Sequence, residues 1–296
     1  MGGKLTNLLE RKGKTSSPEE LAALAAAFRL EMFDVLYKRQ TGHWGGSSSA
    51  AELVTSLYFN RLNVKPEDPR WEDRDRFILS KGHASINLYT VLAYRGFFPP
   101  AELPGFRTLG SMLQGHPNMK TTPGVDFSTG ALGHGVSAAT GMALAARVQG
   151  RNYRTYVMIG EGCLDEGQTW EALLFGAKYK PRGLVLMVDY NKVQLDGPSE
   201  EILPLEPLGD KLTAFGWRLA PQAYNGHDME EILASFNWLD SDGFWPKAVI
   251  YNTVKGKGVS FMEGKSAWHG APIDNASYGR GRPELASDLE RKEAAL

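Results

Sequence analysis

The chain predicts an α/β fold, a mainly parallel sheet with helices on both faces. Short β-rich runs near 77–79, 155–159, 184–189 and 248–253 alternate with stretches of helical periodicity. The runs are continuously apolar, as parallel strands covered on both faces are, and do not alternate apolar with polar. The second and third runs are joined by one helix-length segment, the spacing of a β-α-β unit.

Element by element, residues 1–17 read as a loosely held arm. Ser17-Pro18-Glu19-Glu20 then supplies an N-cap, a proline at the first helical position and a capping-box glutamate, so a helix starts at Pro18. Leu21, Leu24, Ala25, Phe28, Met32, Val35 and Leu36 recur at helical spacing until Thr41-Gly42 ends the run. A second helix is expected to open near Ser49 and to carry Leu53, Val54, Leu57 and Tyr58 inward. Phe77-Ile78-Leu79 is a short buried strand, followed after Gly82 by a helix to about Tyr94. From Phe97 to about Leu132 the chain turns to Pro, Gly, Thr and His with little periodicity, which reads as a binding loop. Helix at 135–149, strand at 155–159, helix at 167–179 and strand at 184–189 come next. A strand near 216–224, a helix at 227–236 and the strand 248–253 complete the alternation. Residues 18–270 are expected to form one domain, with 271–296 as its tail, helical from about Pro283.

Composition bounds the function. With 296 residues, 42% of them hydrophobic, the chain can bury a full core. Lys+Arg 33 against Asp+Glu 34, with no sustained basic run, gives none of the electrostatic footprint of a nucleic-acid or anionic-membrane binder. Cys163 has no cysteine to pair with, which fits a cytoplasmic compartment and leaves a thiolate zinc site without companions. No stretch approaches the ~18–20 apolar residues of a membrane span, and the N-terminus lacks an apolar signal core. The expected partner is a small molecule or another protein.

All six histidines, His43, His83, His116, His134, His227 and His269, have a glycine neighbour, which places them in turns and favours a polar, concave site. For any one of them the competing reading is a satisfied loop histidine. The richest stretch runs from Tyr156 through Gly160-Glu161-Gly162 to Asp189-Tyr190-Asn191. It puts Glu161 and Asn191 at the carboxyl ends of neighbouring parallel strands, where open α/β sheets bind ligands. A carboxylate, an amide oxygen and backbone carbonyls are hard oxygen donors suited to Mg2+ or Ca2+ bridged to phosphates. Ordinary turn chemistry at a glycine-rich strand end is the alternative. Neither a G-x-G-x-x-G fingerprint nor a P-loop is present.

The segment GEGCLDEGQTWEALLFGAKYKPRGLVLMVDYNKVQLDG resembles the thiamine diphosphate motif of transketolases, which begins GDG and ends in an asparagine. TGHWGGSSSAAEL, DRFILSKGHAS, GHPNMKTTPGVDFSTGALGHGVSAATGMALA, NGHD and KGKGVSFMEGKSAWHG match the family in the same order. The resemblance covers roughly residues 18–270 and implies the diphosphate-binding fold of the family's amino-terminal half. It implies a metal site of Glu161, Asn191 and the Val193 carbonyl, and a cofactor site lined by Gly160, Gly162, Cys163, His83 and His269, with Gly130 and Leu132 at the aminopyrimidine. It assigns His43 and His116 to donor hydroxyls and proton transfer, and Glu166 to a carboxylate pair at a subunit interface. By the resemblance, His83 and His269 stand where family histidines contact the cofactor or substrate. The unperturbed histidine pKa, ~6.5, suits repeated proton transfer near neutrality.

The implied activity is transfer of a two-carbon ketol unit from a ketose phosphate to an aldose phosphate with thiamine diphosphate and Mg2+. The pyrimidine-binding and C-terminal domains are expected on a separate subunit, in a dimer of two-chain units. Specialisation for a sulfo- or branched-sugar phosphate is a narrower variant. A 2-oxo-acid dehydrogenase component is disfavoured by the GHPN and AWHG blocks. One departure stands out, since the family's metal-binding aspartate is Glu161 here. The extra methylene must be absorbed if a metal–oxygen distance of ~2.0–2.1 Å is to be kept. A noncatalytic assembly subunit is the reading from a different class, with Glu161 as its best support.

Overall fold

A computed structural model describes residues 3–241, 243 and 245–296. Helix α1 (Gly3–Arg11) lies where the loose arm was expected. Leu5 and Leu8, one turn apart, are both buried and pack it on α2 (Pro18–Arg39). The charges around those two leucines hide this short amphipathic helix in the sequence. The cap of α2 forms as expected, with the Glu20 N–H donating to Ser17 Oγ at 3.1 Å. The next helix opens earlier than expected, as α3 (Trp44–Ser49) and α4 (Ala51–Ser56), and runs into a π-helical turn at Leu57–Arg61.

Strand β1 (Arg76–Leu79) leads through a 3-10 turn at Gly82–Ala84 into α5 (Ser85–Arg95). The segment 97–132 holds a 3-10 turn at Pro100–Gly105 and is anchored by the buried Leu103, Phe106, Leu113 and Val125. Then come α6 (His134–Val148), β2 (Thr155–Gly160), the short α7 (Glu161–Leu164), α8 (Gly167–Tyr179) and β3 (Leu184–Tyr190). After α9 (Ser199–Ile202) and α10 (Leu208–Ala214), the strand expected near 216–224 is instead two pieces, β4 (Arg218–Leu219) and β5 (Tyr224–Asn225). Pro221 falls between them and has no N–H for a ladder. Helix α11 (Met229–Leu239) and strand β6 (Lys247–Asn252) follow.

The chain closes with α12 (Asn275–Ala294), which starts well before Pro283 and packs along α2. Asp274 caps it, accepting the Ser277 N–H at 2.7 Å. Gly279, Gly281 and Pro283 are poor helix formers, so the sequence of its first half gives a weak helical signal.

The strands pair in parallel in the order β1-β2-β3-β6-β4, with β5 also on β6. Because strand side chains alternate, one face presents Phe77, Leu79, Tyr156, Met158, Val185, Met187, Val249 and Tyr251 to the core that includes residues of α2, α4, α5 and α11. The other face presents Ile78, Val157, Ile159, Leu186, Val188 and Ala248 to residues of α6, α8 and α10. Both faces are covered, so the strands read as unbroken apolar runs.

Candidate functional site

Strands β1, β2, β3 and β6 each deliver functional groups at the carboxyl end. Beyond β1 come Lys81 and His83, and beyond β2 comes Glu161. Asp189 is the penultimate residue of β3 with Asn191 just beyond the strand, and Thr253 and Lys255 follow β6. A cavity of about 320 Å3 opens on this edge. It is lined by His83, Gly130, Leu132, Gly160, Glu161, Gly162, Cys163, Glu166, Asn191, Val193 and His269, which the sequence singled out, and also by Gly46, Lys81, Asp165, Gln194, Leu195 and Lys255.

The ring of His43 lies 5.1 Å from that of His83 and 5.3 Å from that of His269, with 4.9 Å between the latter two. His116 lines a separate cavity with Arg107, Asn118 and Lys120. The two cavities adjoin, since a Cβ on Gly130 would stand 3.8 Å from the His116 ring. His134 is exposed at the start of α6, and His227 sits apart in a buried ion network, so the six histidines do not form one site.

Helix α3 is pressed against the strand ends at close range. A Cβ on Gly45 would meet the Lys255 side chain at 3.0 Å and one on Gly46 would meet His83 Nε2 at 3.3 Å, which is why the TGHWGG turn uses glycine there. Lys81 Nζ donates to Gly46 O at 2.6 Å and pairs with Asp189, both side chains being buried. Asp189 also accepts from Ser49 Oγ at 2.7 Å and from Thr253 Oγ1. Burial alone would raise the Asp189 pKa, but Lys81 and these hydroxyls override it and hold the carboxyl below its usual value.

Glu161 is 2% exposed and accepts the Lys192 N–H. Burial, and then the Asp189 charge, push its pKa up to about 8. Lys255 Nζ donates to Val193 O at 2.8 Å, Gln194 O at 3.2 Å and His269 Nδ1 at 2.8 Å. Burial and the nearby Lys81 bring its pKa down to about 8. A lysine donating to Nδ1 leaves the proton of neutral His269 on Nε2.

The histidines are not poised near neutrality. Burial, then Arg107, lowers His43 to about 4, and burial, then Lys255, lowers His269 to about 3. His83 falls well below its ordinary value through burial and His269. All three are neutral at pH 7. Cys163 is 1% exposed and burial pushes its thiol up, which argues against a nucleophile.

These shifts fix the pH dependence of stability. Unfolded, the histidines protonate near 6.5, whereas folded they resist until about 4 and about 3, so stability is lost as pH falls below about 6.5. Glu161 acts oppositely: the unfolded carboxyl ionises near 4.5 and the folded one near 8, so stability is lost as pH rises across that window. Where the windows overlap three histidines outweigh one carboxyl. Between about pH 4 and 8, melts of the metal-free chain should therefore give the highest Tm near pH 6.5, with a fall on the acid side that His43→Gln and His269→Gln each reduce.

The donor set suits a diphosphate and its cation. Two buried ammonium groups face the cavity beside a carboxylate, an amide and two backbone carbonyls. His43 Nδ1 and Gln194 Nε2 are buried and have no hydrogen-bond partner among the described residues. Among those residues no three His, Cys, Asp or Glu side chains cluster as a metal cage, so a cation here would rely on Glu161 as its charged ligand, completed by neutral and diphosphate oxygens. Sequence reasoning missed Lys81, Lys255 and Asp189 as site residues. The usable signal was position, because each stands within two residues of a group already placed at a strand end or of the cavity turn.

Residues 21–291 match the family described as transketolase, thiamine diphosphate binding domain. The chain is 39% identical over 265 residues to one of the subunits of the apulose-4-phosphate transketolase of Phocaeicola vulgatus, covering 90% of this chain and 93% of that protein. It is 40% identical over 269 residues to 6-deoxy-6-sulfo-D-fructose transketolase subunit SqwG of Clostridium sp., covering 91% and 97%. Among solved structures it resembles transketolase from Campylobacter jejuni, with a TM-score of 0.83 at 28% identity, over 93% of this chain and 46% of that one. The fold, the strand-end site and these relatives agree, and the chain belongs to the transketolase family, whose thiamine diphosphate-binding domain it carries.

Proposed function

We propose that this chain is the N-terminal subunit of a two-chain transketolase that moves a two-carbon ketol unit from a ketose to an aldose. The observation that carries the reading is the convergence of Lys81, Glu161, Asn191 and Lys255 from four strand ends on one cavity, beside three neutral histidines. Thiamine diphosphate, when bound, supplies the carbon nucleophile and electron sink that side chains lack. Lys81 and Lys255 would face its diphosphate. Glu161, Asn191 Oδ1 and the Val193 carbonyl would hold Mg2+, or Ca2+ given the longer Glu161 side chain. Gly160, Gly162 and Cys163 leave room for the diphosphate, and Gly130 and Leu132 would flank the aminopyrimidine.

Neutral at pH 7, His43 and His83 can each accept a hydrogen bond from a sugar hydroxyl at one ring nitrogen while the other donates, and His269, its Nδ1 taken by Lys255, can donate from Nε2. His116 would reach the donor from the adjoining cavity. Glu166, exposed at the start of α8, would meet a second copy of the diphosphate domain. A separate chain would contribute the pyrimidine-binding and C-terminal domains, and two such pairs would assemble. The relatives are named for a sugar phosphate and a sulfo-sugar, and either kind of anionic ketose fits the proposal.

Co-purification with a candidate C-terminal chain, followed by ketol-transfer assays on a panel of ketose phosphates and sulfo-ketoses, tests this. Transfer that needs both chains, thiamine diphosphate and Mg2+ is the expected result. A stable complex that neither quenches its tryptophan fluorescence with thiamine diphosphate nor turns over any donor would point instead to an assembly role.

A further inference from the structure

We infer that His227 is a positioning residue: wedged between Glu52 and the Val254 amide, it fixes the turn that delivers Lys255 into the cavity. The role given to Lys255 rests on the proposed cofactor site, whereas the geometry of the turn does not. The network starts at Arg29 on α2, 3% exposed, whose Nη2 lies 2.6 and 2.5 Å from the two carboxylate oxygens of Glu52 on α4. The same nitrogen donates to Ser48 O at 3.1 Å, so the pair also holds the end of α3. Glu52 Oε2 stands 3.0 Å from His227 Nδ1, and His227 Nε2 accepts the Val254 N–H at 2.9 Å.

A backbone amide can only donate, so Nε2 carries no proton and the ring is the neutral form with its proton on Nδ1, given to Glu52. That assignment is forced from both sides, since the Arg29-paired carboxylate stays ionised and only accepts. Val254 immediately precedes Lys255, whose ammonium ties Val193, Gln194 and His269 together. Gly256, on the other side of Lys255, donates to Gly45 O at 3.0 Å. The turn is thus clamped on both flanks of the lysine, once by α3 and once by His227. His227 itself does not line the cavity.

Gln and Asn at 227 separate positioning from bulk packing. A glutamine can place Oε1 where Nε2 stands and still accept from Val254, whereas an asparagine reaches only the Nδ1 position beside Glu52. In the full chain, His227→Asn should speed hydrogen exchange at the Val254 amide at least tenfold and weaken binding of inorganic pyrophosphate with Mg2+ by about tenfold, as loss of a supporting contact does. His227→Gln should restore both, although the two variants melt at similar temperatures. Nitrogen-15 shifts of the wild-type ring should show the proton on Nδ1 at pH 7, a readout that survives even if a variant fails to fold.

A proton on Nε2, or losses in Gln and Asn alike that simply track Tm, would overturn the inference. If the wild-type chain binds no pyrophosphate while Val254 exchange still follows the Gln and Asn pattern, the positioning role is upheld and the cofactor reading of the cavity falls.

Discussion

Lys81→Met should lower the unfolding free energy by about 3–5 kcal/mol, because it strands a buried carboxylate. Asp189 is fully buried, and without the lysine its side-chain hydrogen-bond donors among the described residues are the hydroxyls of Ser49 and Thr253 and the distant amide of Asn191. For a domain of this size that corresponds to a fall in Tm of roughly 10 °C. The double variant Lys81→Met/Asp189→Asn should recover most of the loss, since removing both charges together removes the desolvation penalty with the attraction. Urea unfolding of the two single variants and the double variant measures the coupling. Near-additivity would mean that the pair contributes little beyond packing.

Glu161→Gln should move two observables in opposite directions. The wild-type carboxyl ionises near pH 8 against burial and the Asp189 charge, so the neutral amide should raise the Tm of the metal-free chain above that pH. The same change removes the only charged protein ligand proposed for the cation. The Mg2+ concentration needed for thiamine diphosphate binding should rise by about 10²-fold, the upper range for groups that tune a metal site. Glu161→Asp should keep Mg2+ dependence and shift the Ca2+ to Mg2+ preference toward Mg2+, because the shorter arm suits the smaller ion. Titration of both cations against cofactor-induced fluorescence change tests this, and a site indifferent to the residue at 161 would dismiss a metal role for it.

Those two residues also show what the sequence could and could not reveal. Glu161 and Asn191 were legible because a strand, one helix and a second strand form a local unit, and parallel pairing of β2 with β3 puts both at one edge. The partnership of Lys81 with Asp189 was not legible, since no local unit links them and it takes the pairing order β1-β2-β3, which sets them on either side of Gly160, to bring them together. The histidine blocks were found, yet their neutrality was not. It arises from burial beside Lys255, Lys81 and Arg107, which no turn motif encodes. Helix α1 and the first half of α12 escaped for a simpler reason: charged flanks and helix-poor glycines weaken the periodic signal, and tertiary packing supplies the rest.

The order in which the strands pair sets a schedule for synthesis. Strand β3 is central, yet its second neighbour is β6, and α2 finds its long companion only in α12. A ribosome that has released β3 has therefore made a strand with one edge bare, and it stays bare until residues 247–252 emerge. Such distant pairings are slow to form and leave apolar surface open meanwhile. Nascent chains of this protein should lean on chaperones, and slowing translation between β3 and β6 should cost soluble yield more than slowing it anywhere before β2.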